Sequence, residues 1–87
     1  MTWIIEFEEN LHFLSNGEDS FPVQLEDLEE LHCAENIGDF QTRIYSIMHS
    51  PILRKKLKNA LDKDCRGIDV QLRELQNAVR ELFDRET

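Results

Sequence analysis

Apolar residues recur along this chain mainly at spacings of three and four. Ile4, Phe7, Leu11 and Leu14 form such a stripe ahead of Asn16-Gly17, a pair suited to a helix C-terminus, so residues 3–15 are predicted as an amphipathic helix. A competing reading takes WIIEF and LHFL as strands and Asn16-Gly17 as a hairpin turn, which gives an α+β chain with an N-terminal β-hairpin in residues 3–24 followed by helices. Pairing across that turn sets Ser15 against Glu18, Leu14 against Asp19 and Phe13 against Ser20. Apolar does not meet apolar, so the helix is favoured.

Beyond a loop containing Gly17, Asp19, Ser20 and Pro22, the segment VQLEDLEELHCAEN carries Leu25, Leu28 and Leu31 in a helical stripe that ends near Asn36 and Gly38. Asp39 is the predicted cap of the next helix, in which Phe40, Ile44, Ile47 and Met48 share a face. Ser50-Pro51 closes that helix and opens another, since proline in a first helical turn lacks only an N–H that would have no partner there. This third helix carries Ile52, Leu53, Leu57, Ala60 and Leu61 and stops around Asp64 to Gly67. Asp69 is a predicted N-cap for the last and clearest stripe, Ile68, Leu72, Leu75, Val79 and Leu82, widened by Val70, Ala78 and Phe83. The fold class expected is therefore all-α, a compact bundle of four to five short helices forming one domain over residues 1–87.

Charge changes the picture more than composition does. Every fully charged residue before Arg43 is acidic: the first 42 residues hold eleven acids, and the remaining 45 hold all ten Lys and Arg with seven acids. The net charge of −8 thus splits into an acidic N-terminal half (1–42) and a mildly basic C-terminal half (43–87). Such a field repels nucleic acid and anionic membrane surfaces and favours cationic partners. No apolar run approaches the roughly 20 residues of a membrane helix. Cys33 and Cys65 lack the spacing of a disulfide scaffold, and the opening MTWIIEFEE has acids where a secretory leader would stay apolar, so a cytoplasmic protein with free thiols is expected.

Candidate chemistry is sparse. Asp62, Asp64 and Gly67 match positions one, three and six of an EF-hand loop, but Arg66 and Arg73 fall where oxygen ligands five and twelve are required, so calcium is not expected. His12, His32, His49, Cys33 and Cys65 include no pair at zinc-site spacing, and no nucleophile, base and orienter can be named. No catalytic residue, metal or cofactor is assigned, and the chain is read as a non-enzyme. The basic run Arg54 to Lys58 is expected to pair with the acidic half or to be solvated, since it has no interleaved aromatics for stacking on bases.

The expected function is that of a small acidic protein-binding domain that occupies or neutralises a basic surface of a partner, as an inhibitor, immunity or antitoxin-type antagonist of a nucleic-acid-handling protein would. Glu8, Glu9, Glu26, Asp27, Glu29 and Glu30 are the expected partner-binding residues. The alternative is a helical adaptor, chaperone or assembly subunit that dimerises or binds through the apolar face of its C-terminal helix, with a homodimer built on Leu72, Leu75, Val79 and Leu82.

Overall fold

A computed structural model describes residues 2–85. Three strands precede four helices: β1 (Ile4–Glu8), β2 (Leu11–Ser15), β3 (Ser20–Val23), α1 (Leu25–His32), α2 (Ile37–Ser46), α3 (Pro51–Lys63) and α4 (Ile68–Arg85). The chain is α+β, with a three-stranded antiparallel sheet in the order β1-β2-β3. This corrects the all-α bundle expected from apolar spacing and agrees with the α+β alternative.

Two turns explain the correction. β1 and β2 are joined by Glu9 and Asn10 alone, both at positive φ (52° and 67°), the sense of twist that a two-residue hairpin needs. No glycine marks that turn in the sequence. The second hairpin turns over four residues, Asn16 to Asp19. Asn16 Oδ1 accepts from the backbone N–H groups of Glu18 (2.9 Å) and Asp19 (2.7 Å), and Gly17 supplies φ 93°. Four loop residues instead of two move the pairing by two positions. Leu14 then faces Phe21, Phe13 faces Pro22 and His12 faces Val23. The mismatch that counted against strands was a consequence of the assumed loop length. Of the supposed helical stripe, Ile4, Phe7 and Leu11 are exposed and only Leu14 is buried.

The buried face of the sheet presents Trp3, Leu14, Phe21 and Val23 to Leu28 and Leu31 of α1, Phe40 and Ile44 of α2, Leu57 and Leu61 of α3, and Leu72, Leu75 and Val79 of α4. α4 is the central element, packed against β1, α1, α2 and α3. Local chemistry sets the helix starts. Ser50 Oγ accepts from Ile52 N–H (3.2 Å) ahead of Pro51, as expected. Asn36, not Asp39, caps α2, its Oδ1 accepting from Asp39 N–H (2.8 Å). α4 begins at Ile68, which puts Asp69 inside the first turn rather than at the cap.

Two polar residues are buried among the described residues, Ser15 and Gln71, and Gln71 is the one bonded across the core. Gln71, 1% exposed, accepts from the Trp3 indole N–H (3.1 Å) and donates to the carbonyls of Leu61 (2.7 Å) and Gly67 (3.1 Å). Gly67 has φ 97°, a conformation that glycine adopts without penalty. In the same connection, the Arg66 guanidinium reaches Asp64 (2.6 Å) and Glu74 (2.9 Å), so the chain's own cation sits on Asp64, one of the two acids with which the EF-hand spacing begins. That contact holds the Asp64 carboxyl down at about 2.

Three outcomes check this architecture. Gln71→Leu leaves the Trp3 N–H and the Leu61 carbonyl buried without partners and is expected to cost about 1–3 kcal/mol, measured by urea unfolding followed by circular dichroism. Trp3→Phe should cost less in that background than in the wild type. Leu75→Ala should cost about 2–5 kcal/mol in the same assay. Asp64 has a folded-state pKa below its unfolded one, so its stabilising contribution is complete above about pH 4 and is lost as pH falls towards 2. Arg66→Ala should raise the Asp64 titration part of the way towards the ordinary carboxylate range, since the backbone N–H of residue 66 still donates to it, read by NMR of its carboxyl carbon.

Candidate partner-binding surfaces

The six acids singled out from the sequence separate into two groups. Glu8 ends β1 and Glu9 opens its turn; both are exposed. α1 exposes Glu26, Glu29 and Glu30, whereas the Asp27 side chain is only 14% exposed. Asp27 Oδ2 accepts from the Gln24 N–H (3.0 Å) at the start of α1, and its Oδ1 lies 3.1 Å from His49 Nε2. Its lone pairs serve the helix start and the α2–α3 connection. Glu30 lies 3.7 Å from Arg43 Nη1, and Arg43 also donates to Asp39 Oδ1 (3.0 Å) and to the Glu30 carbonyl (3.2 Å). The Glu35 N–H, followed by Arg43, holds the Asp39 carboxyl below its usual range. The structure therefore leaves Glu8, Glu9, Glu26 and Glu29 with neither role, and uses Asp27 and Glu30 within the fold.

Of the free acids, Glu26 lies at the end of the sheet where β3 leads into α1. A cavity of about 430 Å³ lies there, with Asn10, Leu11 and His12 on one side and Gln24, Leu25 and Glu26 on the other. Leu11 is 52% exposed and Leu25 42% exposed. Phe7, 63% exposed, packs on the His12 ring at 4.7 Å between centroids. Glu8 pairs with Leu11 in the strand register, Glu9 adjoins Asn10 in the turn, and Glu29 follows Leu25 by one helical turn. Leu11 and Leu25 thus share a cavity with Glu26 at its edge and Glu8 and Glu9 in the adjoining hairpin, an apolar centre beside acids of the kind found at protein interfaces. The apolar spacing places Phe7, Leu11 and Leu25 in helical stripes; the strand pairing leaves Phe7 and Leu11 at the surface, and Leu25 is exposed at the first position of α1.

A second surface is mixed in charge. Between α3 and the β2–β3 loop is a cavity of about 650 Å³ lined by Ile52, Lys55, Lys56, Asn59, Asp62 and Lys63, with Asp19 on the loop side. Lys56 Nζ lies 5.2 Å from the centroid of the buried Phe21 ring. No carboxylate among the described residues lies within 4.0 Å of Arg54, Lys55, Lys56, Lys58 or Lys63. These cations are solvated rather than paired with the acidic half.

The remaining candidates are placed as follows. Leu72, Leu75 and Val79 are buried inside the chain's own core and Leu82 is half-buried, so the apolar stripe of α4 is taken up by the fold rather than presented to a partner. His32 stacks on Phe83 at 4.6 Å, covering the end of that helix. Cys33 and Cys65 are exposed free thiols. Among the described residues no group of three or more His, Cys, Asp or Glu side chains is placed to hold a metal ion, and no helix is long and apolar enough to cross a membrane. Comparison of the chain with protein-family models, with curated proteins and with solved structures gave no match.

Proposed function

We propose that this chain is a protein-binding module that docks a basic partner on the acid-rimmed apolar surface formed by the β1–β2 turn and the start of α1, and that it acts by occupying that surface rather than by catalysis. The observation that carries this reading is the cavity that brings Leu11 of the β1–β2 hairpin together with Leu25 and Glu26 at the start of α1, with Glu8 and Glu9 adjacent in the hairpin. Apolar contact supplies affinity at the centre, while the acids steer a cationic partner and exclude anionic ones. The net charge of −8 reinforces the steering. A nucleic-acid-handling protein presents a suitable cationic surface, so the chain works as an antagonist of the inhibitor, immunity or antitoxin type. Exposed free thiols at Cys33 and Cys65 fit a reducing compartment, and we assign the cytoplasm.

Two variants test the surface without touching Asp27 or Glu30. One carries Glu8→Gln, Glu9→Gln, Glu26→Gln and Glu29→Gln, and the other Leu11→Ser and Leu25→Ser. Affinity capture from a lysate of the source cells is run at about 50 and about 500 mM salt, which straddle weak and strong screening. The wild type should retain a basic protein at low salt, and both variants should bind that protein at least about tenfold more weakly, equivalent to about 1.4 kcal/mol. Capture that ignores both the four acids and the salt discards the acidic surface.

A further inference from the structure

The two edges of the sheet are finished differently. The two-residue turn makes Glu8 and Leu11 a hydrogen-bonded pair, so in β1 the backbone groups of Ile4, Glu6 and Glu8 point to β2 and those of Ile5 and Phe7 point away from it. The bond from the Asn16 N–H to the Asp19 carbonyl sets the same alternation between β2 and β3, which turns Pro22 to the opposite edge. Proline has no N–H to offer there, and that edge is closed to a further strand. The β1 edge carries neither proline nor lysine. Among the described residues, no turn, loop or cap bond reaches the outward backbone groups of Ile5 or Phe7. Beside this edge, β1 and α4 enclose a groove of about 240 Å³ lined by Ile4, Ile5, Ala78, Glu81 and Leu82. An extended segment laid along β1 sends alternate side chains to the two faces of the sheet. On the helix side they meet Ile5, Ala78 and Leu82; on the open side they pass Ile4, Glu6 and Glu8, which share a face by the period of two. Every charged side chain described along the edge and its groove is acidic, and no cation among the described residues lies within 4.0 Å of Glu6, Glu8 or Glu81. Arg73 and Arg80 of α4 line a different cavity, with Ile37. A second copy would bring its own Glu6 and Glu8 to the same line, and a net charge of −8 on each molecule opposes that pairing.

We propose that the free edge of β1 binds an extended segment of another protein in which basic residues alternate with apolar ones, adding it to the three-stranded sheet as a further strand. Backbone bonds to Ile5 and Phe7 hold the segment. Its apolar side chains enter the groove against Ala78 and Leu82, and its Lys or Arg side chains lie over Glu6 and Glu8. The groove shares no lining residue with the cavity at the start of α1, so this site stands independently of the function proposed for that cavity.

The probe is a blocked peptide of roughly eight residues alternating valine and lysine, longer than the five residues of β1, and a lysine homopeptide of the same length is the control for charge alone. Amide hydrogen exchange of the full chain, followed by NMR, reads the site. The Ile5 and Phe7 N–H groups should exchange freely in the protein alone and at least about tenfold more slowly with the alternating peptide bound. Fluorescence anisotropy of labelled peptides at about 50 mM salt should show the alternating peptide binding at least about tenfold more tightly than the lysine peptide, and at least about tenfold more weakly to E6K/E81K. Phe7→Pro differs from Phe7→Ala chiefly in lacking the edge N–H, and it should bind about tenfold more weakly again. Pro22 shows that an edge of this sheet accepts proline with its ring turned outwards, and circular dichroism checks that each variant is folded. Peptide binding that leaves both amides unprotected overturns the proposal, as do equal affinity for the lysine peptide and no binding at about 1 mM. Protection that arises in the protein alone and grows with its concentration also overturns it, by assigning the edge to a second copy. Leu11, Leu25 and Glu26 are unchanged in all these variants, so their capture of the basic partner reports on the proposed function separately.

Discussion

The buried amide of Gln71 ties together parts of the chain that have no other polar connection inside the core. Its oxygen holds the Trp3 indole, 68 residues away, and its nitrogen holds the carbonyls of Leu61 in α3 and of Gly67 in the α3–α4 connection. An amide in this setting is costly unless all its groups are satisfied, and each partner here would in turn be orphaned without it. The geometry admits one placement of α4: against β1, where Trp3 enters, and against the end of α3. Leu72, Leu75 and Val79 are then turned into the core, and the sheet has one face closed by helices.

That placement decides which surfaces remain. With α4 central, the end of the sheet at the β1–β2 turn and the outer side of α3 are left open, the first beside acids and the second lined by lysines interspersed with Asp19 and Asp62. The acids of α1 would repel one another at helical spacing, and the fold offsets part of this by using two of them. Asp27 sits at the helix start, where a carboxylate is favoured by the dipole and by the Gln24 N–H. Glu30 leans on Arg43, which Asp39 fixes in position. The remaining acids have no such partner, and their field is directed outwards.

Both open surfaces combine exposed apolar side chains with nearby charge. Leu11 and Leu25 are set beside Glu26, and Ile52 among lysines and the carboxylates of Asp19 and Asp62. Exposed leucines and isoleucines are common on protein surfaces, so exposure alone carries little. Here each group lines a concave site, and the charge beside the first selects the sign of what can approach. Electrostatics of this kind act chiefly on encounter and selectivity, while the apolar contact sets how long a complex lasts.

Much of the helical part was legible in the sequence, because it is written in local terms. The three-and-four spacing of Leu72, Leu75 and Val79, the Ser50-Pro51 start and the acid-only stretch before Arg43 need no knowledge of distant residues. The N-terminal third was not legible in that way. Ile4, Phe7, Leu11 and Leu14 satisfy a helical period and also lie on paired strands, and the choice turns on a glycine-free turn at Glu9-Asn10 and on a loop of four residues rather than two. Local propensity cannot count loop residues. The burial of Leu14 against Phe21 and the anchoring of Trp3 on Gln71 make that choice. The candidate site divides similarly. Which residues are acidic is fixed by the sequence, but the partition into structural and free acids depends on His49 and Arg43, 22 and 13 residues away from the groups they meet, and so on how the chain packs.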